Sequence, residues 1–456
     1  MVMREEAATG TAESLYEKHV NPQWVRLLDI LGMNVEYVSC RGSELFTSDG
    51  RRILDFNSGY CVHNAGHNHP RIVQALKEEL DRNGPAMLQG HVPELAGELA
   101  GRLCQKAGGR IKRVFFACSG SEGIEAVIKF ARANTRRPGI LSATGAFHGL
   151  TCGALSLMSN PFWSEGFGPL LPGMLAIPFG DLSALERELS SKRYAAFVVE
   201  PVQAEGGILV PPAEYLKEAQ RLCRRSGTLF VLDEVQTGLH RTGPFLAAHH
   251  FGVEPDMVVL AKALSGGLVP VSAVLMSEDV YDSVYTSFKR SIVHTSTFSE
   301  NSLSMRAGLA TLDVLETEAL GDRATRLGNG LRQQLAARLS KFGMVKDIRG
   351  LGMMTGIEFR APQSLSLRLL YEGFSRIHPA MFGQVLVMRL FRDKGFFSQI
   401  CGNNFMVLKV APALVVQEAH LEEFVDAITS MVELMENSAG YWTEALGMVG
   451  RVLHVI

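Results

Sequence analysis

Twenty consecutive residues, Met257 to Met276 in DMVVLAKALSGGLVPVSAVLM, carry one charged group, Lys262. A membrane-crossing helix needs about twenty predominantly apolar residues, so the length alone would permit a span. Gly266-Gly267, Pro270 and the central lysine oppose it, because a lysine in mid-bilayer is costly. Two soluble arrangements remain. In one, the run is a core strand whose lysine reaches water with its stem packed underneath. In the other, the lysine is kept dry, which depresses its pKa and leaves a neutral, nucleophilic amine, the state that Schiff-base chemistry requires. Lysine is almost never fully buried without a partner, so the rest of the chain has to decide.

The surrounding pattern is an alternation of short apolar strands and amphipathic helices. RVFFACS reads as a strand and SGSEGIEAVIKFARANTRR as the helix after it. AAFVVEP, TLFVLDE and DMVVLAK are further strands, and EYLKEAQRLCRRSG is a helix ended by Gly227. Such alternation predicts an α/β domain with a mainly parallel sheet flanked by helices, placed at residues 70–320. The helix RATRLGNGLRQQLAARLSKFG, the strand GMMTGIEF and the closing helix EAHLEEFVDAITSMVELMEN suggest a smaller α+β domain at 321–456. Residues 1–69 are expected to give an N-terminal arm and a segment that joins the small domain. With 456 residues, 46% hydrophobic and 20% charged, the chain can bury a large core. A net charge of -2 argues against nucleic acid or an acidic membrane as partner. Seven scattered cysteines without a C-x-x-C pair suggest neither a disulfide framework nor a metal site, and fit a reduced cytoplasmic setting. The N-terminus lacks the apolar stretch of a secretory signal.

In a sheet of this kind, ligands sit beyond the carboxyl ends of the strands. There Ser119 and Glu122 match a capping box, and Ile124, Val127, Ile128 and Ala131 give the following helix one apolar face. A glycine turn at a helix N-terminus offers free N–H groups and the positive dipole end to an anion; any capped helix shares that pattern. Asp233 ends TLFVL, with Glu234, Gln236 and Thr237 behind it, and Lys262 ends MVVLAK. Anion site, carboxylate and amine are therefore expected to face one crevice, the usual picture of a small-molecule site.

SGSEGIEAVIK, GAFHG, EPVQAEGG, LDEVQTGLHRTG and LAKALSGG occur together and in order. On these motifs the chain resembles the class III pyridoxal-phosphate aminotransferases of fold type I, over about residues 25–435. GAFHG, GPLLPG and HTSTF make it most similar to the putrescine and ornithine aminotransferases. The resemblance implies pyridoxal 5′-phosphate as cofactor, a homodimer or dimer of dimers, and a small-molecule amine donor and carbonyl acceptor. It implies that Lys262 forms the internal aldimine and then shuttles a proton, and that Asp233 pairs with the pyridine nitrogen. Gly120 and Ser121 would hold the phosphate, Phe147 would stack on the ring with His148 beside it, and Gln236 would sit near the ring hydroxyl. Thr297 would complete the phosphate site from the other subunit. Taken without the motifs, Phe147 and His148 read as an ordinary core aromatic and a structural histidine.

Three departures stand out. Gly123 in the first turn should loosen its helix by up to about 1 kcal/mol. Ser299, Glu300 and Ser302 stand where the family usually shows Gly-Gly-Asn-Pro. Lys409 replaces an arginine that grips dicarboxylates, opposite an acidic residue matched by Glu205. A Lys409–Glu205 pair is expected, either weakening recognition of glutamate and 2-oxoglutarate or existing only as a surface salt bridge. Tyr60 matches a substrate-contacting tyrosine and hints at a polar or diamine donor; an aromatic at this position could equally pack against the cofactor ring. The predicted function is transfer of an amino group from a diamine, ornithine-like compound or ω-amino acid to a keto acid or aldehyde. The alternatives are an aminomutase or racemase of the same fold, or a cofactor-binding relative with lost activity. A nicotinamide enzyme using GLGMMTG is disfavoured, because those glycines precede an extended segment rather than a helix.

Overall fold

The computed structural model describes residues 12–442, apart from 89, 377, 378 and 439. Residues 1–11, the start of the expected N-terminal arm, and residues 443–456 lie outside the described residues. From Ala12 the N-terminal segment is helical, as Ala12–His19 and Pro22–Leu31. The second helix is started by Asn21, whose side chain accepts from Trp24 N, with Pro22 in the first turn, and it is ended by Gly32 in the left-handed conformation.

Seven strands form the central sheet: β1 (Ile111–Ala117), β2 (Gly139–Ala143), β3 (Met174–Ile177), β4 (Tyr194–Val199), β5 (Leu229–Asp233), β6 (Met257–Leu260) and β7 (Ser272–Ser277). Their order is β1-β7-β6-β5-β4-β2-β3. β7 runs antiparallel to both of its neighbours, and the other pairings are parallel. Alternation along each strand supplies two buried faces. Phe115, Val198, Val231, Val259 and Val274 join one cluster with Ile124, Val127, Ile128 and Phe130 of the helix Gly120–Thr135. Phe116, Phe197, Phe230, Val258 and Ala273 join the main core on the other side. Each large apolar side chain so buried is worth about 1.5–3 kcal/mol.

The apolar run that raised the membrane question is β6, a tight turn and β7. Gly266 and Gly267 take positive φ in that turn, where a Cβ would come within 2.5 Å of Ile72 and 2.4 Å of His63. Among the described residues no helix is long and apolar enough to cross a membrane.

Two smaller sheets follow. Tyr37–Arg41, Glu44–Thr47 and Arg52–Asp55 form an antiparallel set, extended by Phe396–Phe397 pairing parallel to Arg52–Asp55. Val345–Leu351, Met354–Phe359, Asn404–Val410 and Gln399–Cys401 form an antiparallel sheet in that order. GLGMMTG lies in the hairpin joining its first two strands. The closing helix is Glu418–Asn437.

Gly123 has a role that helix propensity misses. A Cβ there would stand 2.7 Å from Val259 Cγ1, so its absence lets the helix Gly120–Thr135 close onto β6.

Candidate active site

The carboxyl ends of the parallel strands open into a cavity of about 460 Å³ lined by Gly120, Ser121, Phe147, His148, Asp233, Gln236 and Lys262 among others. Ser119 caps the helix Gly120–Thr135, its Oγ accepting from Glu122 N at 3.2 Å. The Glu122 carboxylate reaches back to Cys118 N at 2.9 Å, one residue beyond the usual capping-box donor. The first N–H groups of the helix therefore stay available at the cavity wall. Gly149, with φ +121, packs so close that a Cβ would lie 2.1 Å from Ser121 Oγ. Leu150 N donates to that oxygen at 3.3 Å.

Asp233 is buried at the end of β5. One carboxylate oxygen accepts from Val235 N at 3.1 Å and the other meets His148 Nδ1 at 2.8 Å. Burial alone would pull the His148 imidazole down. The hydrogen bond and charge of Asp233, with the charge of Glu200, outweigh it and hold the ring above its ordinary value. Among the described residues, His148 Nε2 and Gln236 Oε1 are buried without a hydrogen-bond partner, and both residues line the cavity, where a ligand would meet them.

Lys262 follows β6 by two residues and opens a short 3₁₀ turn, Lys262–Ser265, with its own φ at +45. A non-glycine residue is rarely left-handed, and such strain gathers at functional sites. Removal from water depresses its amine, and the negative charge of Asp233 opposes that only in part.

Glu200 was not singled out from the sequence. It follows β4 as Asp233 ends β5, and it lines the same cavity. It accepts from Phe147 N at 3.0 Å and Ala204 N at 3.1 Å, and burial pushes it up to about 7. Its signal was the apolar run before it, the same pattern that exposed Asp233. Phe147 is partly buried, with Trp163 edge-on at 5.2 Å. Asn403 fixes that pair, accepting from Trp163 Nε1 at 2.8 Å and donating to the carbonyls of Gly145 and Ala146.

Beyond Gln236 lies a second group. Lys409 Nζ meets Glu205 Oε1 at 2.5 Å with both residues buried, so the surface-bridge alternative is wrong. The other Glu205 oxygen accepts from Gly402 N at 2.9 Å, and Gln236 Nε2 lies 3.3 Å from Oε1. Burial would raise Glu205, but Lys409 dominates and holds it below the ordinary carboxylate range; the ammonium is held above its own. Tyr60 stands with its ring centroid 4.4 Å from Lys409 Nζ, a cation–π contact. Its backbone is left-handed at φ +61, within the run Ser58, Gly59, Tyr60 and Cys61, all at positive φ. For the three non-glycine members this costs roughly 1–2 kcal/mol per residue.

Thr297 is not brought to this cavity. It is exposed and lines a separate hollow with Glu300 and Ser299. The departure around it has local work to do: Asn301 caps the helix Ser302–Thr317 through Ser304 N, and Ser302 N donates to Ala86 O at 3.0 Å. Among the described residues no group of His, Cys, Asp and Glu could hold a metal ion.

Comparison with known proteins gives a consistent result. The family model for class III aminotransferases matches residues 31–432. The putrescine aminotransferase of Pectobacterium atrosepticum is 38% identical over 363 residues, 76% of each chain. The aminotransferase PigE of a Serratia species is 34% identical over 449 residues, covering 92% of this chain and 53% of that protein. The chain thus spans about half the length of PigE. The ornithine aminotransferase of Toxoplasma gondii, seen with PLP at partial occupancy in its active site, superposes with a TM-score of 0.78. That match has 31% identity and covers 87% of this chain and 90% of the other.

Proposed function

The chain belongs to the class III aminotransferases, and from that membership we propose that it moves an amino group from a terminal amine to a keto acid or aldehyde. The donor would be a diamine, an ornithine-like compound or an ω-amino acid. The cycle would be ping-pong, with donor and acceptor using one site in turn. Pyridoxal 5′-phosphate is the cofactor. The cavity suits it by the free helix N-terminus at Gly120 and Ser121, the close approach that Gly149 allows, and the orphaned atoms of His148 and Gln236. What the cofactor adds when bound is an aldehyde that exchanges amines and a ring that accepts an electron pair.

The protein's own groups would do the rest. The Gly120 and Ser121 N–H groups would hold the phosphate at the positive end of the helix. Phe147 would pack against the ring, and Gln236 would offer a polar group to it. Asp233 would hold a proton at the pyridine nitrogen, and the His148 hydrogen bond fixes the carboxylate in place. Lys262 would anchor the cofactor through its amine. Once free, its Nζ would take a proton from the substrate carbon and give it back. Its depressed pKa keeps the neutral, proton-accepting form available. Thr297 would reach the phosphate from the other subunit of a homodimer, which accounts for its exposure in one chain. A cytoplasmic setting completes the proposal.

The single observation that carries this reading is the meeting of Lys262, Asp233 and the helix N-terminus on one cavity. The test is a donor and acceptor panel with Lys262→Ala as blank. A carbonyl co-product from the donor supports transfer; its absence, with an isomerised amine instead, favours a mutase. The buried Lys409–Glu205 pair supports a further detail. An arginine would offer a planar fork to a dicarboxylate, whereas Lys409 is a point charge already committed to Glu205. Pyruvate should therefore serve at least as well as 2-oxoglutarate, and a strong preference for 2-oxoglutarate would refute the detail.

A further inference from the structure

Arg241 is fully buried, yet no carboxylate stands among its hydrogen-bond partners. Burying a guanidinium is costly unless its donors are all met, and here neutral oxygens from three stretches of chain meet them. Nε and Nη2 donate to Asn64 Oδ1 at 3.1 and 2.6 Å. Nη2 also reaches Ser58 Oγ at 3.2 Å. Nη1 donates to Pro412 O at 2.5 Å and to Met353 O at 3.2 Å. The Arg241 carbonyl accepts from Met353 N at 3.0 Å, so the residue is locked to that hairpin by backbone and side chain together.

These partners flank the strained turn and the strand end. Ser58 opens the left-handed run that carries Tyr60. Pro412 lies three residues after Lys409. Ser58 Oγ itself donates to Ala411 O at 2.6 Å, and Ala411 N donates to Phe56 O at 2.8 Å. Asp55 holds the start of the turn, accepting from Asn57 N at 2.9 Å and Ser58 N at 2.7 Å, with His67 on its other oxygen. Arg241 thus stands at the centre of the contacts that join the turn bearing Tyr60 to the segment after Lys409.

We propose that Arg241 is a positioning residue for substrate recognition: its planar fork ties the left-handed turn bearing Tyr60 to the strand end bearing Lys409. A left-handed run with three non-glycine members relaxes unless its surroundings over-determine it, and the guanidinium supplies that constraint. Lysine cannot replace it, since one ammonium cannot meet oxygens on three segments in a plane. The proposal rests on the reading of Tyr60 and Lys409 as substrate-side groups.

The experiment compares Arg241→Lys and Ser58→Ala, each alone and combined with Tyr60→Ala, in full-length cofactor-loaded protein. Misplacing a binding group should raise KM by about tenfold or more, with kcat, cofactor absorbance and cofactor affinity holding near wild type. In the Tyr60→Ala background the same changes should add little, because the group they position is gone. If Arg241→Lys does not fold, Ser58→Ala decides. An unchanged KM in Ser58→Ala, or effects that simply add to Tyr60→Ala, would overturn the proposal. If the wild type transfers no amino group from any donor, the functional reading fails instead, which is a separate result.

Discussion

The cavity proposed to hold the cofactor and the neighbouring group proposed to face the substrate are built in different ways. The proposed cofactor wall, from Cys118 to Lys262, stands at strand ends of one sheet, and each group is placed by the local turn that follows its strand. The proposed substrate wall, Tyr60, Glu205 and Lys409, is gathered from three distant stretches and held by a buried ion pair, a cation–π contact and a strained turn. The first wall is constrained by covalent neighbours and the sheet. The second depends on long-range contacts and touches the first through the Glu205–Gln236 hydrogen bond. A site built this way can keep its chemistry while its specificity drifts.

Changes to the two walls should therefore fail differently. The largest effect is expected for Lys262→Ala, which removes the proposed covalent anchor and proton carrier and should cut amino transfer by at least about 10³-fold. Circular dichroism and thermal melting should show an intact fold. Glu205→Ala strikes the other wall and should act on stability instead. It strands the Lys409 ammonium in the core and should cost about 3–5 kcal/mol in denaturant unfolding. If it lowers only activity, the pair is not as buried as described. Gly149→Ala should force a shift of Ser121 and weaken cofactor binding by about 1–3 kcal/mol, read by titration of the apoprotein. Lys409→Arg should raise the ratio of 2-oxoglutarate to pyruvate turnover by roughly tenfold, about 1.4 kcal/mol.

A last effect is a pH slope rather than a step. Glu200 is raised to about 7 from an ordinary value near 4.5. The folded state then holds a proton that the unfolded state releases, so this group's contribution is full below about 4.5 and is lost as pH rises to about 7. Replacing it by glutamine should leave a flatter stability–pH profile across that window. An unchanged slope would mean that Glu200 stays ionised.

Most of the cavity lining was legible because strand, turn and polar group are contiguous: an apolar run ended by Asp233 or Lys262 announces itself. Elements with a single apolar period, such as Glu418–Asn437, were equally readable. Three things were not. β7 was hidden because Gly266, Gly267 and Pro270 fuse two apolar strands into one run. The value of Gly123 lies in a neighbour, Val259, more than a hundred residues away, which propensity cannot see. The left-handed turn at Ser58–Cys61 has one glycine where the conformation would favour several, since it is imposed by Asp55, Arg241 and Ala411 rather than chosen locally. Thr297 belongs to the same class, its expected partner being on another chain.

The central claim is that Lys262 is the residue joined to the cofactor. Borohydride reduction of the purified protein, followed by digestion and mass spectrometry, tests it directly. The account predicts the reduced pyridoxyl phosphate adduct on the peptide containing Lys262; an unmodified Lys262 with the adduct on a different lysine would contradict it.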